Sequence, residues 1–295
     1  MNAFAPKRIV AATDLSPASA PAVAAAVRIA EAYGAALEVV LAEPANAPLE
    51  FTPGQTRALE DEHQRNLRAL ERELRAWARG RVPGGTALQV TGGEPADVIL
   101  QRAEGAELIV LGTHGRRGLS RLRLGSVSES VIRRARVPVL AVKHAPGGDG
   151  TFACVRLLCP MNLTPLSQST LRVAASLAAR LGCPLTAVAA EEGEERLEER
   201  LHQACDAAAP ACPGLEVVVR RGQAADQILK VARETGAGLI VIGAARRTGL
   251  PEAIFGTTTE RLLREPVHSV LVVPDAMVDV DTASSTAAGS GSQVM

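Results

Sequence analysis

Four glycines, Gly112, Gly115, Gly118 and Gly125, are spread over fourteen residues between two apolar runs. The first run, Leu108–Leu111, has the length of one buried strand. From Ser126 a helical pattern takes over, with Val127, Val131 and Ala135 every fourth residue, until Pro138 breaks it; Val139–Val142 then reads as another buried strand. A glycine-rich loop between a strand and a helix N-terminus can bring bare backbone N–H groups against a phosphate. Glycine suits such a loop because a Cβ would obstruct the ligand, or because φ must be positive. Arg116 and Arg117 lie in the loop as potential phosphate partners, with a solvated loop as the equal alternative. His114 reads as an exposed loop residue, because no Ser or Cys stands in a motif that would make it a base.

Other chemistries lack their residues. There is no G-x-x-x-x-G-K-[ST], no G-x-G-x-x-G after the first strand and no G-x-S-x-G elbow. All five cysteines fall in the second half (154, 159, 183, 205, 212), without a C-x2-C pair. They read as ordinary thiols rather than a zinc site. The odd count, with no signal-peptide pattern at the start, points to a reducing cytoplasm. No eighteen-residue apolar run marks a transmembrane helix. Charge is balanced overall, 32 basic against 32 acidic, and aromatics are 2%. Neither a general basic field nor stacking platforms favour nucleic acid, and nothing favours an anionic membrane.

The elements that must position the loop follow in order. Arg8–Ala12 is a strand ending in Thr13-Asp14-Leu15-Ser16-Pro17, where Ser16 and Pro17 start a helix through Ala30. Leu37–Ala42 is the second strand. Gln55–Arg79 is a long helix with an apolar stripe of Leu59, Leu67, Leu70, Leu74 and Trp77; His63 is expected on its solvated side. Ala87–Val90, a helix from Pro95 and the opening strand-loop-helix-strand complete a β-α-β-α-β-α-β-α-β order. After a glycine-rich break at 145–150 the pattern recurs: Met161-Asn162-Leu163-Thr164-Pro165 mirrors Thr13–Pro17, and Gly243 to Gly256 repeats the spacing of Gly112 to Gly125. Two domains are expected, 1–146 and 151–274, with a disordered tail from 275 to 295. The fold class is α/β, two doubly wound, mostly parallel five-stranded sheets with helices on both faces.

The spacing Gly112-x2-Gly115-x9-Gly125-Ser126, with the LGSVSESV stretch and the terminal PVLAV strand, resembles the nucleotide-binding signature of the universal stress protein family, G-2x-G-9x-G-(S/T). The chain thus resembles a tandem universal stress protein. The resemblance implies an ATP site, with or without Mg²⁺. Ala12, Thr13, Asp14 and Ala42 would lie at the base and ribose. Gly112, Thr113, Gly115, Arg116, Arg117, Gly118, Gly125, Ser126, Val127 and Ser128 would lie at the phosphates. The second copy departs from the pattern: Arg246 replaces the second signature glycine and Asn162 replaces Asp14, so a degenerate site is expected there. No catalytic set is apparent and no metal ligands are assigned, so a binding protein is expected rather than an enzyme; slow hydrolysis of a bound triphosphate stays open. The alternatives are a dimeric interaction scaffold that binds no nucleotide and an adenylyl-transferring enzyme. Each repeat ends in an apolar strand whose edge needs cover, which predicts an intra-chain pseudo-dimer through those strands. The resemblance implies the same; a homodimer of whole chains stays open.

Overall fold

The computed structural model describes residues 4–44, 53–113, 124–143, 152, 155–191, 197–210, 212, 214–245, 255–265 and 267–276. Side chains are described from residue 60 onward in the long second helix. Arg116, Arg117, Gly115, Gly118, His114, Arg246, the 145–150 break and the tail from 277 lie outside the described residues.

The described residues form ten strands and eight helices, strand and helix alternating within each repeat. The first repeat contains β1 (Arg8–Thr13), α1 (Ala20–Tyr33), β2 (Ala36–Glu43), α2 (Pro53–Ala78), β3 (Ala87–Gly92), α3 (Pro95–Arg102), β4 (Leu108–Gly112), α4 (Ser126–Arg134) and β5 (Val139–Val142). The second contains β6 (Leu157–Pro160), α5 (Pro165–Leu181), β7 (Leu185–Glu191), α6 (Leu197–Ala208), β8 (Leu215–Arg221), α7 (Ala224–Thr235), β9 (Leu239–Ala244), α8 (Thr257–Arg264) and β10 (Ser269–Pro274).

The chain divides into two compact units. The amino-proximal unit, Lys7–Val131 with Val142–Phe152, holds a parallel sheet in the order β3-β2-β1-β4. The carboxyl-proximal unit, Met1–Pro6, Ile132–Ala141 and Ala153–Met295, holds β5-β10-β9-β6-β7-β8. There β5 runs antiparallel to β10, with Val270 opposite Ala141, Leu271 opposite Leu140 and Val272 opposite Val139; the other pairs are parallel. Each repeat contributes the five strands expected of it, but β5 pairs antiparallel with β10, so the second repeat's strands do not form a separate five-stranded sheet. The four residues of β5 are all buried, so the strand is apolar on both faces.

Consecutive strand residues point to opposite faces. Ile9, Val10 and Ala11 in β1, and Leu239, Ile240 and Val241 in β9, are all fully buried, so both sheet faces are covered by helices. With so few aromatics the core is made of Ala, Val, Leu and Ile, and each fully buried Leu or Ile contributes about 1.5–3 kcal/mol of transfer free energy. In α2, Leu67, Leu70, Leu74, Trp77 and Ala78 carry the inward stripe, with Leu74 and Ala78 fully buried.

One helix boundary differs from expectation. Ser16-Pro17 does not open α1; residues 17–19 form a turn and the helix begins at Ala20, with Ser19 as N-cap. Pro21 explains this. A helix from Pro17 would require an N–H at residue 21 to bond the carbonyl of residue 17, and proline has none. At the matching place α5 carries Ser169, and that helix does start at Pro165, its Thr164 cap accepting from the Ser167 N–H at 3.3 Å.

Candidate functional site

The parallel register brings the carboxyl ends of β3, β2, β1 and β4 to one edge of the amino-proximal sheet. Thr13 stands beside Leu41, Ala42 beside Thr91, and Glu43 beside Gly92. Open α/β sheets bind ligands at this edge. Ala12 and Thr13 are the last two residues of β1, Ala42 is the penultimate residue of β2, and Gly112 ends β4.

The turn after β1 is tightly determined. The buried Thr13 hydroxyl lies 2.8 Å from Ser19 Oγ and accepts from the Leu15 N–H at 3.0 Å. The Asp14 carboxylate oxygen Oδ1 accepts from both the Ser16 N–H (3.0 Å) and the Ser16 hydroxyl (2.6 Å). Leu15 is held at φ 62°, a left-handed conformation uncommon for leucine, and Leu163 repeats it at φ 60°. In the second repeat the Asn162 side-chain oxygen accepts from the Thr164 hydroxyl at 2.7 Å, so asparagine builds the same turn. Asp14 therefore has a structural task that its amide counterpart also performs, and what distinguishes it from Asn162 is its negative charge.

The glycine segments meet at the far side of the edge. The Gly125 N–H donates to the Thr113 carbonyl at 2.9 Å, and the Ser128 hydroxyl donates to the Gly112 carbonyl at 2.7 Å. The Thr113 N–H in turn donates to the Val142 carbonyl at 3.1 Å. These bonds pin the end of β4 to the start of α4. Thr113 and Ser128 are buried, whereas Ser126 is exposed at the first position of the helix. The first-turn amides of α4, among them Ser126, Val127 and Ser128, have no intrahelical partner by geometry and point out of the helix N-terminus. A Cβ on Gly125 would sit 3.2 Å from the Thr113 oxygen. Its φ is not in the left-handed region, so glycine serves close approach here rather than turn conformation.

The second repeat is built otherwise. A Cβ on Gly243, the counterpart of Gly112, would lie 2.7 Å from Leu166 Cγ and 2.8 Å from Thr170 Oγ1. Both side chains come from α5. The residues in register in the first repeat are Ala18 and Ala22. Among the described residues, a Cβ on Gly256 would meet nothing within 4 Å. Gly243 is therefore a packing glycine, and the constraint on Gly125 has no equivalent at Gly256.

Sequence reasoning missed His63. Expected on a solvated face, it is half-buried, and a Cβ on Gly92 at the end of β3 would fall 2.7 Å from its Nε2. The signal was present: His63 continues the stripe of Leu67, Leu70 and Leu74 by one turn. Two of the thiols are held away from reactivity. Cys159 and Cys205 are buried; burial pushes both thiols up, that of Cys205 to about 11, so they stay protonated near neutral pH. Among the described residues no cluster of three or more His, Cys, Asp or Glu is placed to hold a metal ion, and no helix is long and apolar enough to cross a membrane.

The model of the universal stress protein family matches residues 6–143 and 187–274. The chain belongs to that family. A universal stress protein of Thermus aquaticus is 39% identical over 139 residues, covering 46% of this chain and 98% of that protein. One from Methanocaldococcus jannaschii is 33% identical over 147 residues, covering 46% of this chain and 82% of its own length. One from Mycobacterium tuberculosis is 32% identical over 199 residues, covering 60% of this chain and 65% of that protein. The crystal structure of a universal stress protein from Archaeoglobus fulgidus aligns with a TM-score of 0.68 over 91% of this chain and 98% of that one, at 20% identity, a likeness of fold. The two matched segments fall one in each repeat, so this universal stress protein is a tandem one.

Proposed function

We propose that the first repeat binds ATP across the carboxyl ends of β2, β1 and β4, and that the chain acts in stress responses through the bound nucleotide rather than by turnover. The observation that carries this reading is the junction of Gly112-Thr113 with Gly125-Ser126. A glycine whose Cβ position is nearly blocked stands directly before a helix whose first residue is an exposed serine. That arrangement offers first-turn amides and a hydroxyl to phosphate oxygens. Thr13, Asp14 and Ala42 flank the space where a ribose and base would extend along the edge, and Gly115, Arg116, Arg117 and Gly118 supply the loop between. Mg²⁺ would be carried in with the triphosphate.

The second repeat binds no nucleotide in this reading. Leu166 and Thr170 crowd Gly243, where the first repeat has two alanines. Its role is to pair with the first repeat: the antiparallel β5–β10 ladder supports an internal pseudo-dimer. Cys159, Cys205 and Cys212 form no disulfide among the described residues, which suits a cytoplasmic location.

The test is to denature the purified protein, identify the nucleotide released, and titrate nucleotide-free chain with Mg-ATP. About one ATP per chain is expected from the single-site geometry. A chain that carries none and shows no heat of binding refutes the assignment and leaves a scaffold of the same fold; two equal sites refute the asymmetry.

A further inference from the structure

The outward face of α2 carries Arg65, Arg68, Arg72, Arg75 and Arg79. Their spacing of three and four residues places them within about 80° of the helix circumference and along about 21 Å of its axis. Leu74 and Ala78 are buried on the opposite side. All five arginines are exposed, and among the described residues none makes an ion pair or a hydrogen bond. Arg65, Arg68, Arg72 and Arg75 line one open groove with Glu71. Some arginines elsewhere are paired, Arg261 with Asp226, Arg156 with Glu216 and Arg220 with Glu234, whereas the α2 arginines stand together without a pair among the described residues.

The helix at the same place in the second repeat has the opposite character. On α6, Glu198, Glu199 and Asp206 are exposed and, among the described residues, unpaired. In sequence Glu191, Glu192, Glu194 and Glu195 precede them, so that residues 191–206 hold seven acidic residues against the two basic residues Arg196 and Arg200. A chain with zero formal net charge thus holds a concentrated positive stripe on one repeat and a concentrated negative one on the other. Neutral net charge removes the general repulsion between copies.

We infer that the arginine stripe of α2 is a docking surface for a second copy of this chain, whose α6 acidic face it recognises. Opposite potentials steer and orient such an encounter. Made reciprocally, the contact closes a dimer with two α2–α6 junctions; made once, it propagates head to tail. A phosphate backbone is the less suitable occupant because Glu71 stands within the stripe and would face it. An acidic protein helix tolerates an interspersed carboxylate.

The experiment uses the full chain, followed by sedimentation velocity. In about 50 mM NaCl the chain should self-associate, and in about 1 M NaCl, where the screening length falls to about 3 Å, it should become monomeric. Reversing the stripe (Arg68→Glu, Arg72→Glu, Arg75→Glu) should weaken self-association at least about 10-fold, as should reversing the acidic face (Glu198→Arg, Glu199→Arg, Asp206→Arg). Every substituted residue is exposed, and circular dichroism confirms that each variant remains folded. Mixing the two variants in equal amounts should restore a complex, because each then offers what the other lacks. A mixture that stays monomeric, or a wild-type assembly indifferent to salt and to both reversals, overturns the inference. So does a chain that is monomeric at low salt but retains duplex DNA in an arginine-dependent manner, which would give the stripe to phosphates. The inference does not use the nucleotide site, so its failure would leave that assignment standing.

Discussion

Gly125→Val tests the junction of β4 and α4 on two counts. A Cβ placed on Gly125 is 3.2 Å from the Thr113 oxygen, tighter than ordinary van der Waals contact. Neither side can simply withdraw, because that oxygen accepts from the Gly125 N–H itself at 2.9 Å and the Thr113 N–H is bonded to Val142. Overpacking of this kind costs about 1–3 kcal/mol. At about 2–4 °C per kcal/mol, the melting temperature should fall by a few degrees, and the chain should remain folded. The ligand term is separate. If Gly125 and Ser126 face phosphate, the valine methyls displace at least one charge-assisted hydrogen bond, about 1.5–3 kcal/mol, which weakens Mg-ATP binding about 10- to 150-fold. Calorimetric titration measures this directly, and Gly256→Val, with nothing among the described residues within 4 Å of its Cβ, is the control expected to change neither quantity. Gly125→Val protein that binds ATP within about twofold of wild type would refute the phosphate-loop reasoning whatever happened to its melting temperature.

Gly243→Ala should destabilise the fold by about 1–3 kcal/mol in urea, since its Cβ would meet Leu166 and Thr170 below 3 Å, while leaving nucleotide content unchanged. Leu140→Ala removes a fully buried side chain opposite Leu271 and should cost about 2–5 kcal/mol; a loss under about 1 kcal/mol would contradict the β5–β10 ladder as a packed seam. His268 is buried with Nδ1 2.9 Å from the Ala237 carbonyl and no partner for Nε2. Burial lowers its pKa, outweighing the Ala237 carbonyl and Glu265, while Arg233 lowers it further. The unfolded chain therefore binds the proton first, and stability that is full above about pH 6.5 should fall as pH drops below it, by at most about 1.4 kcal/mol per unit. Urea midpoints for wild type and His268→Gln at about pH 7.5 and 5.5 check this: the wild type should lose more.

What could be read in the sequence was set by local pattern. Apolar runs such as Leu108–Leu111 and Leu239–Ile242 are strands because nothing else buries four consecutive aliphatic residues between turn signals. The two repeats were visible because Thr13–Pro17 and Met161–Pro165 carry the same turn chemistry. The start of α1 was not visible by cap residues alone, because Pro21 overrules Ser16-Pro17 from four residues away. Five strands in each repeat were legible in the same way. Val139–Val142 and the last strand are each apolar runs whose edges need cover, and that is the signal for their antiparallel ladder. At the candidate site, strand ends and glycines were legible, since their spacing is local. His63 was not, because its charged neighbours in α2 concealed that it shares a stripe with Leu67, Leu70 and Leu74.

The same comparison bears on how the second repeat could lack the proposed nucleotide site and keep its fold. Asn162 builds the turn that Asp14 builds, so the change from carboxylate to amide leaves the backbone intact and removes only charge. Leu166 and Thr170 approach the Cβ position of Gly243 to 2.7 and 2.8 Å, and the residues in register in the first repeat are Ala18 and Ala22. Both changes are compatible with the fold of the second repeat. Gly125 stands close against the Thr113 carbonyl, Ala18 and Ala22 stand where the second repeat has Leu166 and Thr170, and Ser126 is exposed at the head of α4. Thr257 is likewise exposed at the head of α8, so among the described residues it is the close approach of Gly125 that is particular to the first repeat, and the proposed phosphate role rests on it.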